Sequence, residues 1–141
     1  MDLEKLTIKE KLIFDLILET YRLTEYQVGE LEPINYTASA TTSETLGSDV
    51  HADISGSLSG YIYFGKLNAS IVTHTSSEDN LSIYQNGTKF KILSGLVNVG
   101  YSGLVALPME IDGLMFNCVK LLIATGSSNY FYFTGYRLRI K

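Results

Sequence analysis

The 141-residue chain has no tryptophan, one cysteine, two prolines and two histidines, and each scarcity excludes something. With Cys118 as the single thiol no intramolecular disulfide can form, and its place in an apolar run between Phe116 and Val119 marks it as buried and inert. With only His51 and His74 as bases a serine triad has little to draw on. The stretch Gly56-Ser57-Leu58-Ser59-Gly60 also puts Leu58 where a nucleophile elbow requires a hydroxyl. Charged residues make up 18% of the chain and the net charge is -4, so the basic footprint of a nucleic-acid binder is missing. No C-x-x-C pair, glycine-rich phosphate loop or fixed-period repeat occurs, which disfavours zinc ribbons, nucleotide folds and solenoids.

Long apolar segments are also lacking. Lys11, Asp15, Glu19 and Arg22 interrupt the most apolar helical stretch well short of a membrane span. Met1-Asp2-Leu3-Glu4-Lys5 carries both signs of charge and no small-residue cleavage site, unlike a secretory signal. A virion or cytoplasmic location is therefore expected, with no membrane contact, no nucleic acid and no cofactor.

What the chain does contain is 45% hydrophobic residues, including ten tyrosines and six phenylalanines. Its length suits one core. Thr7 followed by Glu10 is a capping box, in which each side chain bonds the other's backbone N–H at a helix start. The spacing predicts a helix over 7–26 with one narrow polar stripe, Lys11, Asp15, Glu19 and Arg22, and apolar residues around the rest. Gly29 and Pro33 read as a linker, so the chain divides into a helical arm, 1–28, and a β domain, 29–141.

From Ile34 onward the pattern is that of short strands separated by turn residues. Asn86-Gly87 is the hairpin signal of a type I′ turn, because both central residues need positive φ. Leu58–Phe64 and Leu67–Thr75 read as separate strands, and Asp112-Gly113 as a turn. Two runs, Leu114–Ala124 and Tyr130–Ile140, read as a closing hairpin. Phe131 and Phe133 share one parity and Tyr136, Leu138 and Ile140 the other, which predicts a β-bulge at Gly135 with Arg137, Arg139 and Lys141 pointing outward. The expected architecture is mainly β: an antiparallel, jelly-roll-like β-sandwich of about 8–10 strands after one amphipathic helix.

Three function classes follow. The helix is too apolar for one sheet to cover, which points to a non-enzymatic assembly protein. It would be a virion component, a capsid, decoration or tail-associated protein of phage type, docking through Leu12, Ile13, Leu16 and Ile17 as a homo-oligomer or onto a larger protein. Tyrosine combines apolar area with a polar tip, so Tyr61, Tyr63, Tyr132 and Tyr136, with Arg137 and Arg139, form a candidate surface for a glycan or receptor. Asp49, His51 and Asp53 alternate, so in a strand they would share a face and could hold a metal or serve a small hydrolase; solvated side chains are the simpler account.

Overall fold

A computed structural model describes residues 3–40, 44–47, 60–72, 80–85, 87–94, 106–122 and 129–141. Among these are one α-helix, α1 (Ile8–Tyr21), and eight strands: β1 (Val28–Ala40), β2 (Glu44–Gly47), β3 (Gly60–Val72), β4 (Asn80–Gln85), β5 (Thr88–Ser94), β6 (Ala106–Phe116), β7 (Cys118–Leu122) and β8 (Asn129–Ile140). The strands form two antiparallel four-stranded sheets, ordered β1-β8-β3-β6 and β2-β7-β4-β5. The predicted β-sandwich with an N-terminal helix is the fold observed.

Helix α1 starts where its capping box predicts. The Thr7 N–H donates to Glu10 Oε1 at 3.0 Å, and the Glu10 N–H donates to Thr7 Oγ1 at 3.1 Å. It ends at Tyr21, earlier than Tyr26, because Arg22 takes a left-handed conformation with φ 55°. The Leu23 N–H reaches back to the Leu18 carbonyl at 2.9 Å, and both side chains pack against one apolar cluster, the usual closure of a helix C-terminus.

Two apolar clusters hold the molecule together, one on each face of the first sheet. Between the sheets lie Leu46, Tyr63, Leu67, Ala69, Leu81, Ile83, Phe116, Val119, Leu121, Phe131 and Phe133. On the opposite face, α1 presses Ile13, Phe14 and Ile17 onto Val28, Leu31, Ile62, Leu138 and Ile140. Each such aliphatic or aromatic side chain contributes roughly 1.5–3 kcal/mol by leaving water.

This arrangement corrects the reading of β8. Its ladders to β1 and β3 run from Asn129 to Leu138 and from Tyr130 to Ile140 with no register shift at Gly135. The parity change arises because Phe131 and Phe133 face the second sheet while Leu138 and Ile140 face the helix. Arg137 and Arg139 therefore sit on the same side of the sheet as Phe131 and Phe133. Gly135 is needed for close approach instead: a Cβ there would lie 2.3 Å from the Phe64 carbonyl oxygen and 2.7 Å from Gly65 Cα. Gly65 is its directly paired neighbour, so β3 runs unbroken through the glycine that reads as a strand end.

The bulges lie elsewhere. One extra residue separates Val28 and Leu31 on β1, which lets both face the helix. Another sits on β6 at Asp112-Gly113, where Gly113 has φ 72° and Leu114 and Ile111 pair with Gly65 and Leu67. Asp112-Gly113 is thus a bulge inside a strand and not a turn. Gly29 and Pro33 belong to β1 and form no linker; Pro33 is tolerated because β1 is an edge strand. Pro108 likewise lies within β6, the opposite edge. The β4–β5 hairpin has Gln85 paired with Thr88 around a two-residue connection, with Gly87 at φ 85°; Asn86 lies outside the described residues.

The predicted closing hairpin does not form. Its first run is divided at Asn117, with β6 ending in the first sheet and β7 beginning in the second. Asn117 is fully buried yet satisfied: its N–H donates to the Tyr84 carbonyl at 2.8 Å and its Nδ2 to the Tyr61 carbonyl at 3.0 Å. Its Oδ1 accepts from the Tyr21 hydroxyl at 2.7 Å. A polar residue in an apolar run marks where the chain changes sheets.

Candidate functional site

The face of the first sheet that carries α1 is only partly covered. On β8, alternate residues Tyr130, Tyr132, Thr134 and Tyr136 point to this face, and the helix covers it from Tyr136 toward the C-terminus. Tyr130 and Tyr132 lie beyond the helix, each about two-fifths exposed, with ring centroids 6.2 Å apart and planes within 15°. Pairing across the sheet sets their neighbours: Thr37, Asn68 and Glu110 share the row of Tyr132, and Asn35 and Lys66 share that of Thr134.

Lys66 Nζ lies 2.8 Å from Glu110 Oε1. That hydrogen bond, reinforced by the carboxylate's charge, raises the lysine pKa. Both groups remain solvated, so the pair orients donors and acceptors more than it stabilises the fold. Toward the helix the face deepens into a groove of about 390 Å³ lined by Lys9, Asn35, Lys66, Asp112, Thr134 and Tyr136. The result is a flat aromatic surface bordered by amide, hydroxyl and paired charged groups.

The other face of the sheet carries a second cluster at its open end. Arg137 Nε donates to Glu32 Oε2 at 2.9 Å, and the guanidinium carbon lies 4.5 Å from the centre of the Tyr61 ring. The Glu32 hydrogen bond holds Arg137 firmly protonated, while burial pushes the Tyr63 phenol pKa up. Tyr63 is 3% exposed and stacks on Phe116 with centroids 5.2 Å apart, so it is a core residue. Tyr61 and Arg139 line an open depression with Glu30, Glu32 and Lys141.

The six residues proposed from sequence as one binding surface are therefore divided. Tyr61, Tyr63, Arg137 and Arg139 share one face of the sheet; Tyr132 and Tyr136 share the other, with Tyr136 half-buried against the helix cluster. Tyr130 is missing from that set, and its common parity with Tyr132 is the signal that finds it. Of the four helix residues, Ile13 and Ile17 are buried against this chain's own sheet, whereas Leu12 and Leu16 are exposed.

Asp49, His51 and Asp53 lie outside the described residues, as does His74. Among the described residues no group of three or more His, Cys, Asp or Glu is placed to hold a metal ion. No helix among them is long and apolar enough to cross a membrane.

No family model and no curated protein matches the chain. Among solved structures it is similar to a variant of a family 29 carbohydrate-binding module, at 11% identity over 77% of this chain and 91% of that one, with a TM-score of 0.29. A second variant gives 10% identity over 77% and 90% of the two chains with a TM-score of 0.30. Another family 29 module gives 12% over 74% and 76%, with a TM-score of 0.28.

Proposed function

We propose that the chain is a non-catalytic carbohydrate-binding domain whose binding face is the uncovered part of the first sheet around Tyr130 and Tyr132. The observation that carries this reading is the exposed, nearly parallel tyrosine pair. Sugar rings present apolar C–H faces that pack on aromatic rings, and their hydroxyls need donors and acceptors at the margin. Thr37, Asn68, Lys66 and Glu110 supply these at the right places. Tyr61 is less suited, because the Arg137 guanidinium already occupies its ring face.

The test is retention on a panel of soluble and insoluble polysaccharides, followed by calorimetry with oligosaccharides of the retained one. Tyr132→Ala should weaken binding about tenfold, the equivalent of ~1.4 kcal/mol, and Tyr130→Ala by a similar factor. Tyr61→Ala should leave affinity unchanged. A wild-type chain retained by no polysaccharide, or binding unaffected at both platform tyrosines, would remove this reading.

A second reading, a subunit of a larger structural assembly such as a virion, is favoured by the exposure of Ile8, Leu12 and Leu16 on α1. It is checked by whether the chain co-purifies with particles, and whether Leu12→Glu releases it.

A further inference from the structure

The apolar row on α1 is left uncovered by the chain's own fold. Ile8, Leu12 and Leu16 are 84%, 65% and 44% exposed, and their spacing of four places them in one line along the helix. Beside that line runs the polar stripe: Lys11, then Asp15 and Glu19, all exposed. Among the described residues these three form no ion pair, although Lys11 and Asp15 are four residues apart. One end of the stripe is basic and the other acidic.

We infer that α1 is an isologous dimer interface, in which two copies of the chain pack their helices antiparallel through Ile8, Leu12 and Leu16. This rests on the helix alone and holds whether or not the chain binds glycans, and it claims for a second copy the row that docking onto a particle would need. A two-fold axis between antiparallel helices places the same row of each on the same side, running in opposite directions. With the axis near Leu12, the two Leu12 side chains meet at the centre and Ile8 of each copy faces the partner's Leu16. Lys11 of each copy then lies about 3 Å along the helix axis from the partner's Asp15, giving two reciprocal attractions against a single repulsion between the two Lys11 side chains beside the two-fold axis. Glu19 falls beside the N-terminus of the partner's helix, where the dipole favours a carboxylate.

Parallel packing makes no such pairs, since a two-fold axis along the helices would set the Lys11–Asp15 stripes of the two copies on opposite sides of the seam. A lipid surface fits less well: helices that lie on membranes carry Lys or Arg beside the apolar row, whereas Asp15 and Glu19 would be repelled by anionic headgroups. Rows spaced by four on both helices mesh at a crossing angle of about -50°. A helix of 14 residues is roughly 21 Å long, so the interface is small and association weak, with a dissociation constant on the order of 100 µM.

Sedimentation velocity of the full chain across that range tests the proposal. The wild type should shift from monomer to dimer, and Leu12→Glu should remain monomeric with an unchanged circular dichroism spectrum and melting temperature. Lys11→Glu and Asp15→Lys should each weaken dimerisation about tenfold or more, and the double charge swap should restore it. A wild type that stays monomeric throughout overturns the inference, and so does a double swap as weak as the single changes. Flotation with phosphatidylcholine–phosphatidylserine vesicles, abolished by Leu12→Glu in a monomeric chain, would instead assign the row to a lipid surface.

Discussion

At the scale of single residues, Asn117 and Tyr21 join three parts of the fold with one small network. Burial pushes the Tyr21 phenol up to about 12 from its ordinary value of 10.0, while its hydrogen bond to Asn117 pulls the other way. Because the folded-state value lies above the unfolded one, folding favours the neutral phenol. That contribution is complete below pH 10 and is lost as pH rises through 10 toward 12. Tyr21→Phe should cost about 1 kcal/mol at neutral pH, since it leaves a buried amide oxygen without its donor. In denaturant titrations at increasing alkaline pH, the wild type's advantage over Tyr21→Phe should shrink as pH rises above about 10 and be reversed by about pH 12. Parallel stability curves for the two proteins would show that the network is not what senses pH. Nothing in the sequence around Asn117 identifies this role, because an asparagine inside an apolar run says only that some partner must satisfy it.

At the scale of the elements, α1 carries two apolar faces with different fates. Ile17 is 0% exposed within the cluster formed with Val28, Leu31, Ile62, Leu138 and Ile140, whereas Leu12 points away from it. Ile17→Ala should therefore lower stability by about 3 kcal/mol through lost contacts and the cavity left behind. Leu12→Ala, in dilute solution, should stay within about 0.5 kcal/mol of wild type. Urea unfolding followed by tyrosine fluorescence reads both, and equal losses would mean that the helix is covered on both faces. The helix itself was legible from Thr7, Glu10 and the periodicity. Its partner was not, because helical spacing says which residues share a face and not which face meets a sheet.

At the scale of the whole molecule, the first sheet serves as the middle layer, with the second sheet against one face and α1 against part of the other. Cys118 begins β7 at the point where the chain crosses between sheets, and it is fully buried. Its thiol should react with an aromatic disulfide reagent only as fast as the fold opens, and reaction in native buffer should be slower than in denaturant by several orders of magnitude. A fast native reaction would mean that the crossing opens locally, independently of the two clusters.

The class of fold, the helix start, the β4–β5 turn and the burial of Cys118 were all legible in the order of residues alone. Capping, turn chemistry and alternation are local, and a few neighbouring residues specify them. The change of buried face on β8 near Gly135 was legible there too. The reason came from packing. A strand with two buried faces leaves the same parity trace as a bulged strand with one, and the helix that makes the second face lies more than a hundred residues earlier in the chain. The same long-range packing separates Tyr61 and Arg137 from Tyr132 and exposes Tyr130 beside it. A binding surface on a sheet is assembled by strand order, and strand order depends on contacts that no short stretch of sequence contains.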